Sequence, residues 1–289
     1  MISNNIRVVT NYLQGKYPDY LFLNFIDNNV GQPYTYDSEG YPWRLFPFIE
    51  NSVSFNTVAS EGMAFAAAKE FGKLTMNLNK LDCNLLSETI PQFHDLSFRY
   101  RQFEDALNLA DAQRLKVAHQ LIECCKDKFH LVEEYNELIA NGKLIKRAIH
   151  NDCKINNVLF HKVTTEAICI VDLDTLMPGY FIYDLGDMVR TFVSPVSEEE
   201  KDYSKIVFRE NIYNGLLDGY SYFTKNILSK DEMRSIPFAG KMMTFMIALR
   251  FLTDYLLGDK YYQTSYSGQN LVRAGNQLKL LEVITKSLK

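Results

Sequence analysis

His150-Asn151-Asp152-Cys153-Lys154-Ile155-Asn156-Asn157 places a histidine, a carboxylate and an amide at fixed spacing just before an apolar run, residues 158–160. A second apolar run, 168–171, ends on Asp172, with Asp174 two residues on. Two such runs separated by a polar turn predict a β-hairpin. Antiparallel pairing sets the residues before one strand beside the residues after its partner. The hairpin therefore gathers Asp152, Asn157 and Asp172 at one end.

That grouping has a chemical meaning. One carboxylate can accept a proton from a hydroxyl, while the other, with the amide oxygen of Asn157, can hold a hard divalent cation through oxygen ligands. Phosphoryl transfer needs this division between a positioned base and a metal that neutralises phosphate charge. A lone His-x-Asp says little; the spacing His-x-Asp-x-x-x-x-Asn, a strand, then Val171-Asp172 says much more. Tyr183-Asp-Leu-Gly-Asp187 follows as a third element in the order that kinases use. An isolated Asp is more often a cap or turn residue, so the joint placement carries the argument. His150 is expected to order the loop through hydrogen bonds rather than act as a base, and Asp187 to brace it. Cys153 reads as a passive thiol, and His94-Asp95, after Pro91, as a turn.

Outward from the hairpin, helical and extended patterns separate cleanly. Residues 2–15 have apolar positions at helical spacing and end on Gly15. Runs rich in β-formers at 20–26, 34–36 and 41–49 predict a small β-region, with Asp37-Ser-Glu-Gly40 as a turn. Helices are expected over 58–78, 98–110 and 112–142, a β-island over 144–174, and helices again beyond 187. The sum is an α+β plan with two lobes of unequal size. Residues 1–50 form a small N-terminal β-lobe, and 51–289 a mostly helical large lobe carrying the catalytic hairpin 144–174.

Composition narrows the partners. Net charge is −4 and Lys and Arg are dispersed, which excludes an electrostatic nucleic-acid or membrane-surface binder. The most apolar stretch, 242–257, contains Arg250 and Asp254 and reads as a buried amphipathic helix. The five cysteines show no zinc-type pairing. A cytoplasmic protein with reduced thiols is expected, and the oligomeric state is left open.

These segments resemble the aminoglycoside phosphotransferase and choline kinase superfamily, within the protein-kinase-like fold, and more closely the N-acetylhexosamine 1-kinases (mucin-desulfatase-like proteins). The resemblance rests on His150 to Phe160, Ile170-Val-Asp-Leu-Asp-Thr-Leu-Met-Pro-Gly179 and Tyr183-Asp-Leu-Gly-Asp-Met-Val-Arg190. It extends to Arg250-Phe-Leu-Thr-Asp-Tyr-Leu-Leu-Gly-Asp-Lys-Tyr261 and Trp43-Arg-Leu-Phe-Pro-Phe-Ile-Glu50. It implies ATP as phosphoryl donor and Mg2+ as cofactor, with a neutral sugar as the other small-molecule partner. Asp152 would be the base for an anomeric hydroxyl and Asn157 and Asp172 the magnesium ligands, with Asp174 assisting the metal or the substrate. Arg250 and Tyr261 would contact the sugar, and the backbone at Pro47, Phe48 and Ile49 the adenine. Arg250 with Asp254 at i+4 also fits a simple helix ion pair.

One part of the family pattern is missing. No Gly-x-Gly phosphate loop precedes Trp43, Lys16 follows a helix instead of lying on a strand, and no acidic residue occurs before Asp19. The expectation is a chain that begins inside the small lobe and is impaired as a kinase. A choline- or aminoglycoside-type kinase, or an inactive remnant, is the alternative.

Overall fold

The computed structural model describes residues 1–288. Helix α1 (Ile2–Lys16) runs one residue past Gly15 and buries Ile6, Val9 and Leu13, its i, i+3, i+7 stripe. Asn5 lies on the same face and is fully buried. Its amide donates to the Ser87 and Leu176 carbonyls (2.7 and 2.9 Å) and its oxygen accepts from the Ser87 amide (2.9 Å). Every polar atom of that side chain is thus satisfied, and α1 is pinned to the segment that follows Asp172.

The small β-region is slighter than the β-former runs imply. Residues 20–26 bury Leu23 and Phe25 with the alternation of a strand, yet pair through only one bridge, Ile26 to Leu45. Strands β1 (Thr35–Tyr36) and β2 (Pro42–Trp43) flank the expected turn. Asp37 organises that turn, accepting from the amides of Glu39 and Tyr41 and from the Trp43 indole. Beyond Trp43 the run 41–49 is irregular until β3 (Ser52–Val53).

Helix α2 (Glu61–Leu78) starts three residues later than its apolar periodicity because Ser60 caps it, accepting from Met63 N at 3.2 Å. Asp95 likewise caps α3 (Leu96–Leu109). The predicted helix 112–142 is two: α4 (Ala112–Lys126) and α5 (His130–Ala140). The buried stripe Ala118, Ile122, Cys125 would run on to Phe129 and Asn136 in an unbroken helix. The residues that reach the core are instead Leu131, Val132 and Tyr135, and the break turns the chain to bury them.

Strand β4 (Lys146–Ile149) precedes the hairpin β5 (Val158–His161) and β6 (Ala167–Ile170). The hairpin is antiparallel, with Val158 opposite Ile170, and β3 adds to its edge. Strand β7 (Met177–Tyr180), absent from the sequence reading, pairs with β4 along its whole length. The remainder is helical: α6 (Phe181–Phe192), α7 (Glu210–Thr224), α8 (Lys230–Arg234), α9 (Ile236–Leu256) and α10 (Gln269–Ser287). The fold is α+β with a large helical lobe. Helix α9 is long and apolar enough to cross a membrane by composition, but it is the core helix, packed by α3, α4, α6 and α10. Buried residues occupy nearly every side of it, so it is apolar all round rather than amphipathic.

Helices α2 and α7 cross with backbones nearly touching, and glycine permits this. A Cβ on Gly72 would lie 2.6 Å from the Tyr220 carbonyl oxygen, and one on Gly215 2.7 Å from that of Glu61. Backbone cannot rotate away as a side chain does, so Gly72→Ala should destabilise the fold by about 1–3 kcal/mol through overpacking. Urea denaturation reads this as a lower midpoint at unchanged slope.

Candidate active site

The loop between β4 and β5 is shaped by a buried carboxylate. Asp184, on the first turn of α6, accepts from the backbone amides of His150 (3.1 Å) and Asn151 (2.6 Å). Asn151 is in the left-handed region, at φ 67°, and its side-chain amide donates to the Thr175 carbonyl at 3.0 Å. This turn swings Asp152 away from the sheet. Burial raises the Asp184 pKa against the donors that lower it. The loop-bracing role expected of Asp187 thus falls to Asp184, three residues earlier; the Asp187 carboxylate meets Arg190 at 2.8 Å.

His150 joins the two ends of the hairpin. Its Nδ1 accepts from the Asp152 amide (3.2 Å) and its Nε2 donates to the Val171 carbonyl (3.0 Å). Both bonds require a neutral ring with the proton on Nε2. The residue is committed to structure on both sides, as its sequence context predicts. The Val171 amide in turn donates to the Asn157 carbonyl at 2.9 Å. Asp172 follows at φ 61°, exposed and with no hydrogen-bond or ion-pair partner among the described residues.

Asn157 spends its amide hydrogens on the Asp152 backbone carbonyl (2.9 Å) and carboxylate (3.0 Å). Its Oδ1 is left for another ligand. An amide oxygen beside an unpaired carboxylate is a donor set that suits a hard cation completed by phosphate and water oxygens. Asn157 Oδ1 and the Asp172 carboxylate are the oxygens at this end of the hairpin that could hold such a cation.

Asp152 itself is about three-quarters shielded and pairs with Lys154, Nζ to Oδ2 at 3.1 Å. Burial raises its pKa and the Asp187 charge adds to this, while Lys154 opposes both. Charges alternate outward from the base as Asp152, Lys154, Asp187, Arg190 and Glu198, the last pair at 2.9 Å. Lys154 escaped the sequence reading although it stands inside the deciding segment. A cation two residues after the base was the signal.

Other expectations are redistributed. Asp174 is not free to assist metal or substrate, because Arg44 Nη2 holds both its oxygens at 2.8 and 2.6 Å. Arg250 and Asp254 form no ion pair. The Asp254 carboxylate instead accepts from the amides of Lys260, Tyr261 and Tyr262 and from Asn270, fixing the loop that presents Tyr261. Arg250 lies against Phe93, Tyr261 and Tyr262, with ring centroids 4.9, 5.8 and 5.5 Å away. Arg250, Tyr261 and Tyr262, together with Arg99 and Gln102, line a cavity of about 220 Å3.

A chain of contacts runs from Arg250 through Phe93 to His94 and the catalytic loop. His94 is more than a turn residue: its Nε2 donates to the Asn151 carbonyl at 2.8 Å, and its ring stacks on Phe93. Burial holds its pKa down at about 3, with the charge of Arg250 acting in the same direction. The stretch Pro47, Phe48 and Ile49 is irregular backbone leading into β3, with Phe48 83% exposed, a surface to which a planar ring could be added. Cys153 is buried, and burial pushes its thiol pKa far up, which removes it as a nucleophile.

Residues 27–219 match the phosphotransferase enzyme family. Among solved structures the chain is similar to an aminoglycoside phosphotransferase from Alicyclobacillus acidocaldarius, with a TM-score of 0.64 at 12% identity, covering 99% of this chain and 84% of that one. It is also similar to a microcompartment-associated aminopropanol kinase (TM-score 0.62, 13% identity, 99% and 82% covered). A choline kinase from Cryptosporidium parvum gives a TM-score of 0.54 at 14% identity, with 98% and 79% covered. At these identities the likeness speaks to the fold.

The electrostatics of Asp152 make a prediction with a definite sign. Lys154 lowers the Asp152 pKa, so Lys154→Met leaves burial and Asp187 unopposed and the carboxyl should titrate at higher pH. Carbon NMR of the Asp152 carboxyl would follow this directly. Lys154→Arg, which keeps the charge, should restore most of the shift.

Proposed function

Because the chain belongs to the phosphotransferase enzyme family, we propose that it is a sugar 1-kinase, moving the γ-phosphoryl group of ATP to the anomeric hydroxyl of an N-acetylhexosamine. The observation that carries the sugar reading is the cavity lined by Tyr261 and Tyr262, in which Arg250 offers guanidinium donors against the two rings. Aromatic faces suit the apolar face of a pyranose, and the guanidinium suits its hydroxyl or amide oxygens. The aminoglycoside phosphotransferase, aminopropanol kinase and choline kinase of similar fold have amines in their names. A protonated amine calls for a free carboxylate or an open aromatic face; here Asp254 is engaged with backbone and Asn270, and Arg250 already lies against the two tyrosine rings.

In this reading residues 1–50 belong to the small lobe, and the backbone at Pro47, Phe48 and Ile49 meets the adenine. Asp152 accepts the anomeric proton as the oxygen attacks phosphorus. Its raised pKa makes it a better base than an ordinary aspartate while it remains ionised, which general-base catalysis favours. Asn157 both orients that carboxylate and, with Asp172, holds magnesium, which when bound neutralises charge on the β- and γ-phosphates. Lys154, tethered to Asp152, reaches toward the same side and offers its ammonium to the transferring group. His150 keeps the two loops in register without exchanging a proton.

The test is phosphorus NMR of the chain incubated with magnesium, ATP and N-acetylglucosamine or N-acetylgalactosamine. A hexosamine 1-phosphate is expected; Asp152→Asn should lower kcat by about 10² to 10⁴, and Arg250→Ala should raise KM more than it lowers kcat. Phosphorylation of choline or kanamycin in preference to the sugars would overturn the proposal.

A further inference from the structure

The cavity holds a second guanidinium. Arg99, on the first turns of α3, is planted by its own surroundings. Its Nε and Nη2 donate to the Phe93 carbonyl (3.1 and 2.9 Å) and its Nη1 to Gln102 Oε1 (2.8 Å). These bonds fix the plane of the group and leave one hydrogen on each terminal nitrogen. Arg250, on α9, makes no ion pair among the described residues and is held by aromatic faces alone. Burial and the nearby Arg250 hold the Arg99 pKa down to about 10, still well above neutral pH, and the two guanidiniums share one cavity.

The nearby carboxylates keep their charge but are held by other donors and make no ion pair with either guanidinium. Asp254 is saturated by four donors at 2.8–2.9 Å. Asp95 caps α3 through the Phe98 amide at 2.8 Å. Asp187, beyond His94, holds Arg190. His94 stays neutral and contributes no charge. Arg99 and Arg250 thus outnumber Asp254, the carboxylate in the cavity lining, and keep unused N–H donors in a partly desolvated setting where charge counts for more than in water.

We propose that Arg99 and Arg250 together form a doubly cationic wall that sets the charge specificity of this cavity, admitting small polyols that present a carbonyl or carboxylate oxygen and turning away protonated amines. The proposal rests on reading the cavity as the acceptor subsite. Arg99 is the specificity-determining residue, because its guanidinium is fixed before any ligand arrives. Arg250, free to shift between its aromatic neighbours, adapts to the ligand.

Calorimetric titration of the full chain with N-acetylglucosamine, glucosamine and glucuronate, at about pH 6 where the amine is protonated, tests this without requiring turnover. Glucosamine should bind at least about tenfold more weakly than the other two, a gap expected for a like charge at a few ångströms near a protein surface. Arg99→Gln should narrow that gap, and Arg99→Lys, which keeps the charge, should preserve it. Equal binding of glucosamine by the wild-type chain, or an unchanged ratio in Arg99→Gln, overturns the proposal. If none of the three sugars binds, the sugar reading of the site fails, and the charge rule is decided by thermal shift. Glycolate should then stabilise the chain more than ethanolamine does, with the difference lost in Arg99→Gln; equal effects would overturn it.

Discussion

A neutral imidazole spans the gap between the loop that carries Asp152 and the loop that carries Asp172. His150 accepts from the Asp152 amide through Nδ1 and donates to the Val171 carbonyl through Nε2. Loss of the ring would break both bonds and leave the groups they satisfy unpaired, which costs more than the bonds themselves contribute. Val171 is then held from both sides, by His150 at its carbonyl and by Asn157 at its amide. The position of Asp172 follows from that clamp. So does the left-handed backbone it adopts, which a free loop would rarely keep. Asp184 supplies the second anchor from α6, and α1 presses on the far side of the same segment through Asn5.

The rigid core makes this precision possible. Helix α6 stands on α9, and α2 lies against α7 at backbone contact, so the carboxylate of Asp184 is delivered by elements with little freedom to drift. On that platform the reactive groups are placed where charge is costly. Asp152 is partly desolvated beside another acid and relieved by Lys154. The result is a carboxylate more basic than usual. The flanking cavity has the opposite character, with two guanidiniums whose countercharges are engaged elsewhere.

Much of this was legible in the sequence, and the reasons differ by element. The hairpin was readable because two apolar runs and a polar turn leave one sensible pairing, and with it came the grouping of Asp152, Asn157 and Asp172. Residues whose partners are distant were not readable. Arg44 meets Asp174 across 130 positions, and Arg99 shares a cavity with Arg250 though nothing in either neighbourhood announces the other. Asp184 and Asp187 illustrate a subtler limit. Both lie in one short motif, one helical turn apart, and only the direction in which α6 enters the core decides which carboxylate faces the loop. Strand β7 was hidden because Pro178 and Gly179 make Met177–Tyr180 look like a turn, while β4 holds it in register. The runs at 20–26 and 41–49 misled in the other direction: β-forming residues need a partner, and most of their length finds none.

The chain belongs to a family of phosphotransferases, and the proposed chemistry has Asn157, just before β5, and Asp172, just after β6, acting as one metal site. Electron paramagnetic resonance of Mn2+ titrated into the chain with ADP, as a stand-in for magnesium, tests this most directly. Nucleotide-dependent Mn2+ binding, weakened about tenfold or more by Asn157→Ala and by Asp172→Asn alike, is the predicted result. Mn2+ binding indifferent to both substitutions would contradict the account.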